Sequence, residues 1–391
     1  MNNGPIVIKR IAPVLMSFIV MGFIDVVGVA TGYIKQDFHL TDDVAQMIPS
    51  MAFLWFFLLS VPSGVLQEKF GKRNVLNAGM IFTALGMIVP LVHYSFPSML
   101  MAIALLGIGN TIVQVSANPL LQDVVPEAKL PSFMSFSQFI KAICSLMGPV
   151  IATFMASYYG DWKLVFAVYA VTSMLAVLWL YFTPIVETKS TSGTVSFKSC
   201  FGLLASPFVL MMVIAIFLIV GADVGMNSNI ANYLGSAFNF SLEEASLGIS
   251  IYFTALMIGR FAGAIVLNWI PAHKFLIYTV LLAIASFVGM VLAPDAFTAR
   301  VCIFLAGLGA ANTFPLVFSI TLSKMPTRAN ELSGLMIMAV AGGAVVPPIM
   351  GLISKHAGAT TSIWLLVACM AYVLWAAVRA WRQEKGISKI S

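Results

Sequence analysis

The sequence predicts an all-α polytopic membrane protein with twelve transmembrane helices in two pseudo-symmetric six-helix bundles. Three observations carry this expectation. Of the 391 residues, 60% are hydrophobic and 9% charged. A soluble domain carries about a quarter charged residues, so this surface is built for lipid. Apolar stretches of roughly 20 residues, the length that crosses a bilayer, recur along the whole chain. The two halves of the sequence also match at an offset of 200 residues.

The expected spans are 12–34, 44–67, 74–93, 97–122, 131–158, 162–184, 204–234, 242–268, 273–293, 297–323, 330–353 and 361–381. The breaks between them are short and carry turn or charge signals, as in "KFGKRN", "PEAKLP" and "YYGDWK". The longest polar connection, "ETKSTSGTVSFKS" at 187–199, falls in mid-chain. It divides the chain into a first bundle at 1–186, a cytoplasmic linker at 187–203 and a second bundle at 204–391. The first apolar run, from Ala12 past Val29, is too long for a signal h-region and lacks a small-residue cleavage site, so it is expected to remain as a span.

With the N-terminus inside, fifteen Lys and Arg residues fall on the cytoplasmic side, among them Lys69, Lys72, Arg73, Lys189, Arg328, Lys385 and Lys389. Four, Lys35, Lys163, Arg300 and Lys355, fall on the other. That bias places both termini in the cytoplasm. The net charge of +6 is scattered over loops, so no nucleic-acid partner is expected. Cys144, Cys200, Cys302 and Cys369 are isolated and match no metal-ligand spacing, and neither a metal nor another cofactor is expected.

The repeat is specific. "QDFHLTDDVA" (36–45) aligns with "SAFNFSLEEA" (236–245), and "GIGNT" (107–111) with "GLGAA" (307–311). Six-helix halves repeated in parallel are one architecture of secondary transporters, with substrate held near the midplane where the repeats meet.

Polar residues inside the spans are then the candidates for chemistry. In "GIGNTIVQVSANPLL" (107–121), Asn110, Gln114 and Asn118 follow i, i+4, i+8 spacing, with Thr111 beside them. They form one stripe on one helix face. Lipid offers amides no partners, so the stripe faces protein or a watery cavity. Sugar hydroxyls donate and accept as amides do, which makes the stripe a candidate sugar wall. Interhelical hydrogen bonding is the alternative. Asn227 and Asn229 in the seventh span and Asn312 in the tenth extend the candidate set, whereas Asn232 is expected to be a cap or turn amide.

Ionisable groups inside spans are costly, about 2.5–3.5 kcal/mol each on insertion scales, and so point to function. Asp25, Lys141, Asp223 and Arg260 are of this kind. Asp25 is the first candidate for ion coupling. At about 1.5 Å rise per residue it stands roughly 20 Å from the inner end of its helix, and Lys141 roughly 14 Å up the fifth span. A long Lys side chain bridges that offset, so an Asp25–Lys141 pair broken by proton uptake is one reading. A static ion pair is the other. Arg260, about 12 Å from its inner end, is expected to lie well below Asp223 and to serve gating or packing.

Two sets of motifs are recognisable. "GVLQEKFGKR" (64–73) resembles the loop signature of the major facilitator superfamily. "GNTIVQVSANP", "VGADVGMNSNIANYL", "GRFAGAIVLNWIPAHKFL" and "MIMAVAGGAVVPPIMG" resemble the fucose:proton symporter family within it. The resemblance implies a major facilitator fold, a monomer in a bacterial inner membrane, and uptake of a monosaccharide coupled to a cation, with the proton favoured and sodium open. It implies gating roles for Glu68 and Arg73, with Lys69 and Lys72 beside them. Gln138 falls where the family often has a polar residue, and Asp223 stands where the family has Glu. Gln114 stands where the family's fourth-span motif has Glu, and Asp25 lies one turn before the family's first-span Asp.

The alternative function is a proton-coupled drug or metabolite efflux antiporter, suggested by "SLMGPVIA" in the fifth span. The asparagine-rich core favours sugar over a greasy multidrug pocket. No nucleotide loop or metal cluster points to an enzyme, and His39, His93, His273 and His356 all sit at expected helix ends.

Overall fold

The computed structural model describes residues 7–40, 42–188 and 196–387. Lys189 and Lys389 of the expected inner charge set, and linker residues 189–195, lie outside them. Twelve long helical segments follow one another among the described residues. They are α1 (Ile8–Asp37), α2 (Asp42–Phe70), α3 (Lys72–Val92), α4 (Phe96–Val124), α5 (Leu130–Tyr159), α6 (Leu164–Phe182), α7 (Pro207–Phe238), α8 (Leu242–Val266), α9 (Ala272–Val291), α10 (Ala296–Lys324), α11 (Pro326–Ala357) and α12 (Ala359–Ile387). Eleven are long and apolar enough to cross a membrane, and α2 adds 29 helical residues in the place of the second expected span.

Local chemistry explains where the helices begin and end. Ser95 caps α4 and Ser241 caps α8 in reciprocal boxes with Ser98 and Glu244, which satisfy amides that lack an intrahelical acceptor. Asp295 caps α10, and the Thr298 backbone amide at 2.9 Å holds its carboxyl below the usual range. Gly71, at φ +83°, makes the corner between α2 and α3. The linker is not wholly extended, since Phe197–Gly202 forms a short helix boxed by Ser196 and Ser199.

Three of the long helices are interrupted, which the apolar pattern does not announce. A 3₁₀ turn at Phe23–Asp25 breaks α1, another at Ala339–Ala341 breaks α11, and residues 311–312 interrupt α10.

The chain forms two compact units. The first contains Met1–Leu130, Ser137–Leu203 and Met325–Met338; the second contains Pro131–Phe136, Leu204–Lys324 and Ala339–Ser391. Within the first, α3 and α2 pack along α4. Within the second, α9 and α8 pack along α10. The packing repeats at the sequence offset. A Cβ on Gly107 would lie 2.8 Å from the Ala52 carbonyl oxygen, and one on Gly307 would lie 2.7 Å from that of Tyr252. Gly109 faces the Gly79 carbonyl and Gly309 faces that of Thr279 in the same way. Each pair is 200 residues from its counterpart.

One end of the first unit is closed by an aromatic clamp. Asp37 accepts hydrogen bonds from the Tyr94 hydroxyl at 2.5 Å and from Trp162 Nε1 at 3.1 Å. Tyr33 stacks on Trp162, and Lys163 lies over the Tyr94 ring. Burial, and then the Asp37 contact, push the Tyr94 hydroxyl above its usual range.

Because a Cβ on Gly109 would stand 2.6 Å from the Gly79 carbonyl oxygen, Gly109→Val is expected to cost roughly 1–3 kcal/mol by overpacking. At Gly351 an added Cβ meets nothing within 4 Å, so Gly351→Ala is expected to be neutral or stabilising by up to ~1 kcal/mol. Thermal denaturation in detergent measures both.

Candidate functional site

The α4 stripe is where the sequence places its amides, and the structure shows how each is used. Asn110 is fully buried. Its Nδ2 donates to the Met21 carbonyl of α1 at 2.8 Å, and its Oδ1 accepts from Gln114 Nε2 at 2.8 Å. Thr111 is also fully buried and donates to the Gly107 carbonyl. Asn118 donates to the Gln114 carbonyl at 2.9 Å. Only Gln114, at 7%, and Asn118, at 3%, keep any exposure. Asn110 thus forms the interhelical tie that is the alternative for the stripe, and Thr111 bonds back within its own helix. Gln138 on α5 is buried to a similar degree as Gln114.

Asp25 sits at the end of the 3₁₀ turn and is exposed. The Ser145 hydroxyl, one turn beyond Lys141 along α5, donates to its carboxylate. Ser145 Oγ also lies 3.0 Å from the Lys141 carbonyl oxygen. Phe23 stacks on Tyr169 of α6 with centroids 3.8 Å apart, and the Tyr169 hydroxyl is buried within electrostatic reach of Asp25 and Cys144. The sequence reading missed Ser145 and Tyr169, since a lone Ser or Tyr in an apolar run carries no positional signal.

In the second unit, Asp223 of α7 accepts a 2.6 Å hydrogen bond from the Tyr252 hydroxyl of α8. Tyr252 is fully buried, and Arg260 exerts an electrostatic interaction on it. Asn312 is sealed at 1% exposure and donates to the Gly259 carbonyl at 2.7 Å, so it too is a tie. Asn227 is half-buried, and half-buried Asn229 donates to the Gly225 carbonyl. Asn232 is not a cap. α7 continues to Phe238, and Asn232 Nδ2 reaches Ser354 of α11 at 3.0 Å.

The residues around the α2–α3 corner form a charged lock. Lys72 Nζ meets Asp123 of α4 at 2.6 Å, with both side chains 3% exposed. Glu187 accepts from the backbone amides of Lys72 and Arg73, so a carboxylate caps the N-terminus of α3. Arg73 Nη1 donates to the Thr183 carbonyl at 2.8 Å. Glu68 accepts from Asn330 at 3.2 Å, and Ser333 donates to the Val115 carbonyl at 2.6 Å. Arg328 pairs with buried Glu331, which also accepts from Ser199. Asp123, Glu187 and Glu331 were not singled out from sequence, because Asp123 and Glu331 lie near helix ends and Glu187 in a connecting segment, places where acids are common.

Lys72→Met leaves the Asp123 carboxyl buried without its cation. The expected cost is about 3–5 kcal/mol, and Lys72→Met with Asp123→Leu is expected to recover most of it. Detergent melting curves of the three variants check this, and additive losses would contradict the pairing.

Residues 14–346 match the model of the Major Facilitator Superfamily. The chain is 24% identical over 372 residues to a glucose/galactose transporter of Brucella abortus biovar 1 (strain 9-941), covering 91% of this chain and 90% of that protein. It is 21% identical over 380 residues to the L-fucose-proton symporter of Escherichia coli (strain K12), covering 87% and 85%. In fold it is similar to a crystal structure of the E. coli fucose:proton symporter, with TM-score 0.82, 19% identity, and coverage of 95% of this chain and 98% of that one. These helices, their repeated packing and the family match extend over most of the sequence, and the chain belongs to the Major Facilitator Superfamily.

Proposed function

We propose that this multi-pass membrane protein imports a monosaccharide, a hexose or deoxyhexose, by alternating access and cation-coupled symport. The observation that carries the sugar is the similarity along nearly the full length to a glucose/galactose transporter and to an L-fucose-proton symporter. The coupling ion is the proton, with sodium second. Asp25 supports this choice: it is an exposed carboxylate inside an otherwise apolar span, held by a neutral hydroxyl. Asp223, bonded to Tyr252, is the second coupling candidate.

Gln114, Asn118, Gln138, Asn227 and Asn229 are the proposed sugar contacts, with Asn110, Thr111 and Asn312 holding the helices that carry them. Glu68, Arg73 and Arg260 are proposed gating residues. The charge bias supports two cytoplasmic termini, with six-helix halves at 1–186 and 204–391 joined by the linker at 187–203. The protein is proposed to work as a monomer in a bacterial inner membrane.

Uptake of labelled D-glucose, D-galactose and L-fucose into proteoliposomes tests this, with proton and sodium gradients imposed in turn. Accumulation of at least one sugar under the proton gradient is expected. Asp25→Asn is expected to abolish accumulation, a fall of at least about ten-fold, while leaving gradient-free sugar exchange in place. No accumulation of any sugar under either gradient would falsify sugar symport, and accumulation by the Asn variant would remove Asp25 as the coupling site.

A further inference from the structure

The break in α1 is held from two sides at consecutive residues. At Met21 the carbonyl oxygen accepts the Asn110 amide from α4 at 2.8 Å. At Gly22 the backbone is pressed against α5, where an added Cβ would lie 2.8 Å from the Lys141 carbonyl oxygen and 2.9 Å from Cys144 Cβ. Immediately beyond, the Phe23 amide bonds to the Val20 carbonyl three residues back, and the chain tightens into the 3₁₀ turn that ends at Asp25. A side chain inserted at a helix carbonyl is a recognised cause of such a departure from α geometry.

The other side of Asn110 faces Gln114. Gln114 Nε2 donates to Asn110 Oδ1, and Gln114 is the more exposed of the two. Asn110 itself is sealed, so it acts through its neighbours. A hydroxyl that binds Gln114 competes for the same amide that holds Asn110 in place. Loosening Asn110 releases Met21, and Met21 is four residues from Asp25.

We propose that Asn110 is a positioning residue for coupling: it holds the α1 turn that presents Asp25 to Ser145, and Gln114 links it to sugar binding. This rests on Asp25 being the coupling carboxylate. Ser145 of α5 lies on that carboxylate, Tyr169 of α6 is within electrostatic reach of it, and Lys141 and Cys144 of α5 lie against Gly22 of the same turn. The Asn110 hydrogen bonds run to Met21 and Gln114, so its effect passes through the α1 backbone.

The test uses the full-length protein in proteoliposomes with labelled D-galactose and D-glucose. Asn110→Ala is expected to reduce proton-driven accumulation at least about ten-fold while gradient-free exchange stays within about three-fold. In an Asp25→Asn background, where accumulation is already lost, adding Asn110→Ala is expected to leave gradient-free exchange within about three-fold. Equal losses of accumulation and exchange, or a loss of exchange in the Asp25→Asn background, overturn the proposal in favour of plain packing.

Hydrogen exchange separates this inference from the coupling reading. Amides of residues 23–26 are expected to exchange at least about ten-fold faster in Asn110→Ala, and in Gln114→Leu should Asn110→Ala not fold. Unchanged exchange overturns the positioning role even if Asp25 proves to be the coupling site. Faster exchange together with an Asp25→Asn variant that still accumulates sugar leaves Asn110 holding the turn and overturns its link to coupling.

Discussion

Within an apolar slab a polar atom has no water to turn to, and the chain must supply every partner itself. Asn110 depends on this constraint most clearly. Its amide and its carbonyl are both spent, one on the α1 backbone and one on Gln114. Leaving either buried group unpaired would cost on the order of 1–3 kcal/mol. Asn312 meets half of this constraint in the second unit, where its Nδ2 donates to the Gly259 carbonyl and its Oδ1 is buried without a hydrogen-bond partner. Ser and Thr hydroxyls solve it locally, as Thr83 does with the Gly79 carbonyl one turn back. At the α2–α3 corner the same constraint operates on charge, where Lys72 and Asp123 are buried together.

Where the constraint is met by another helix rather than by the helix itself, the backbone is free to depart from α geometry. α1 breaks beside the Asn110 tie, and α10 is interrupted at Asn312. The break in α1 delivers Asp25 to the Ser145 hydroxyl. An unbroken helix would turn that residue to another azimuth. In α1 the irregular backbone and the ionisable side chain thus occur together.

The repeat separates packing from chemistry. The small-residue contacts recur at an offset of 200 residues, with Gly107 and Gly307 each against the facing helix backbone. The polar residues of the interhelical ties and the carboxylate sites do not recur. Asn110 corresponds to Ala310, Thr83 to Ala283, Asp25 to Gly225 and Asp223 to Phe23. The two units share a way of bringing helices close and differ in what they place there. In the first, the carboxylate takes a Ser hydroxyl from α5; in the second, a Tyr hydroxyl from α8.

The sequence by itself determined the medium, the number and rough limits of the spans, the repeat and the face that carries the α4 amides. Those properties follow from composition and from the 3.6-residue period, which are local. It also named Asp25, Gln114 and Asp223 as the residues to watch. Only the tertiary structure decided which amides are spent on backbone carbonyls and which keep some exposure, that Asn232 bridges to Ser354, and that Ser145 and Tyr252 serve the carboxylates. Hydrogen-bond partners depend on which helix lies across the contact and at what height. A periodic pattern reports a face, but crossing geometry chooses the partner on it.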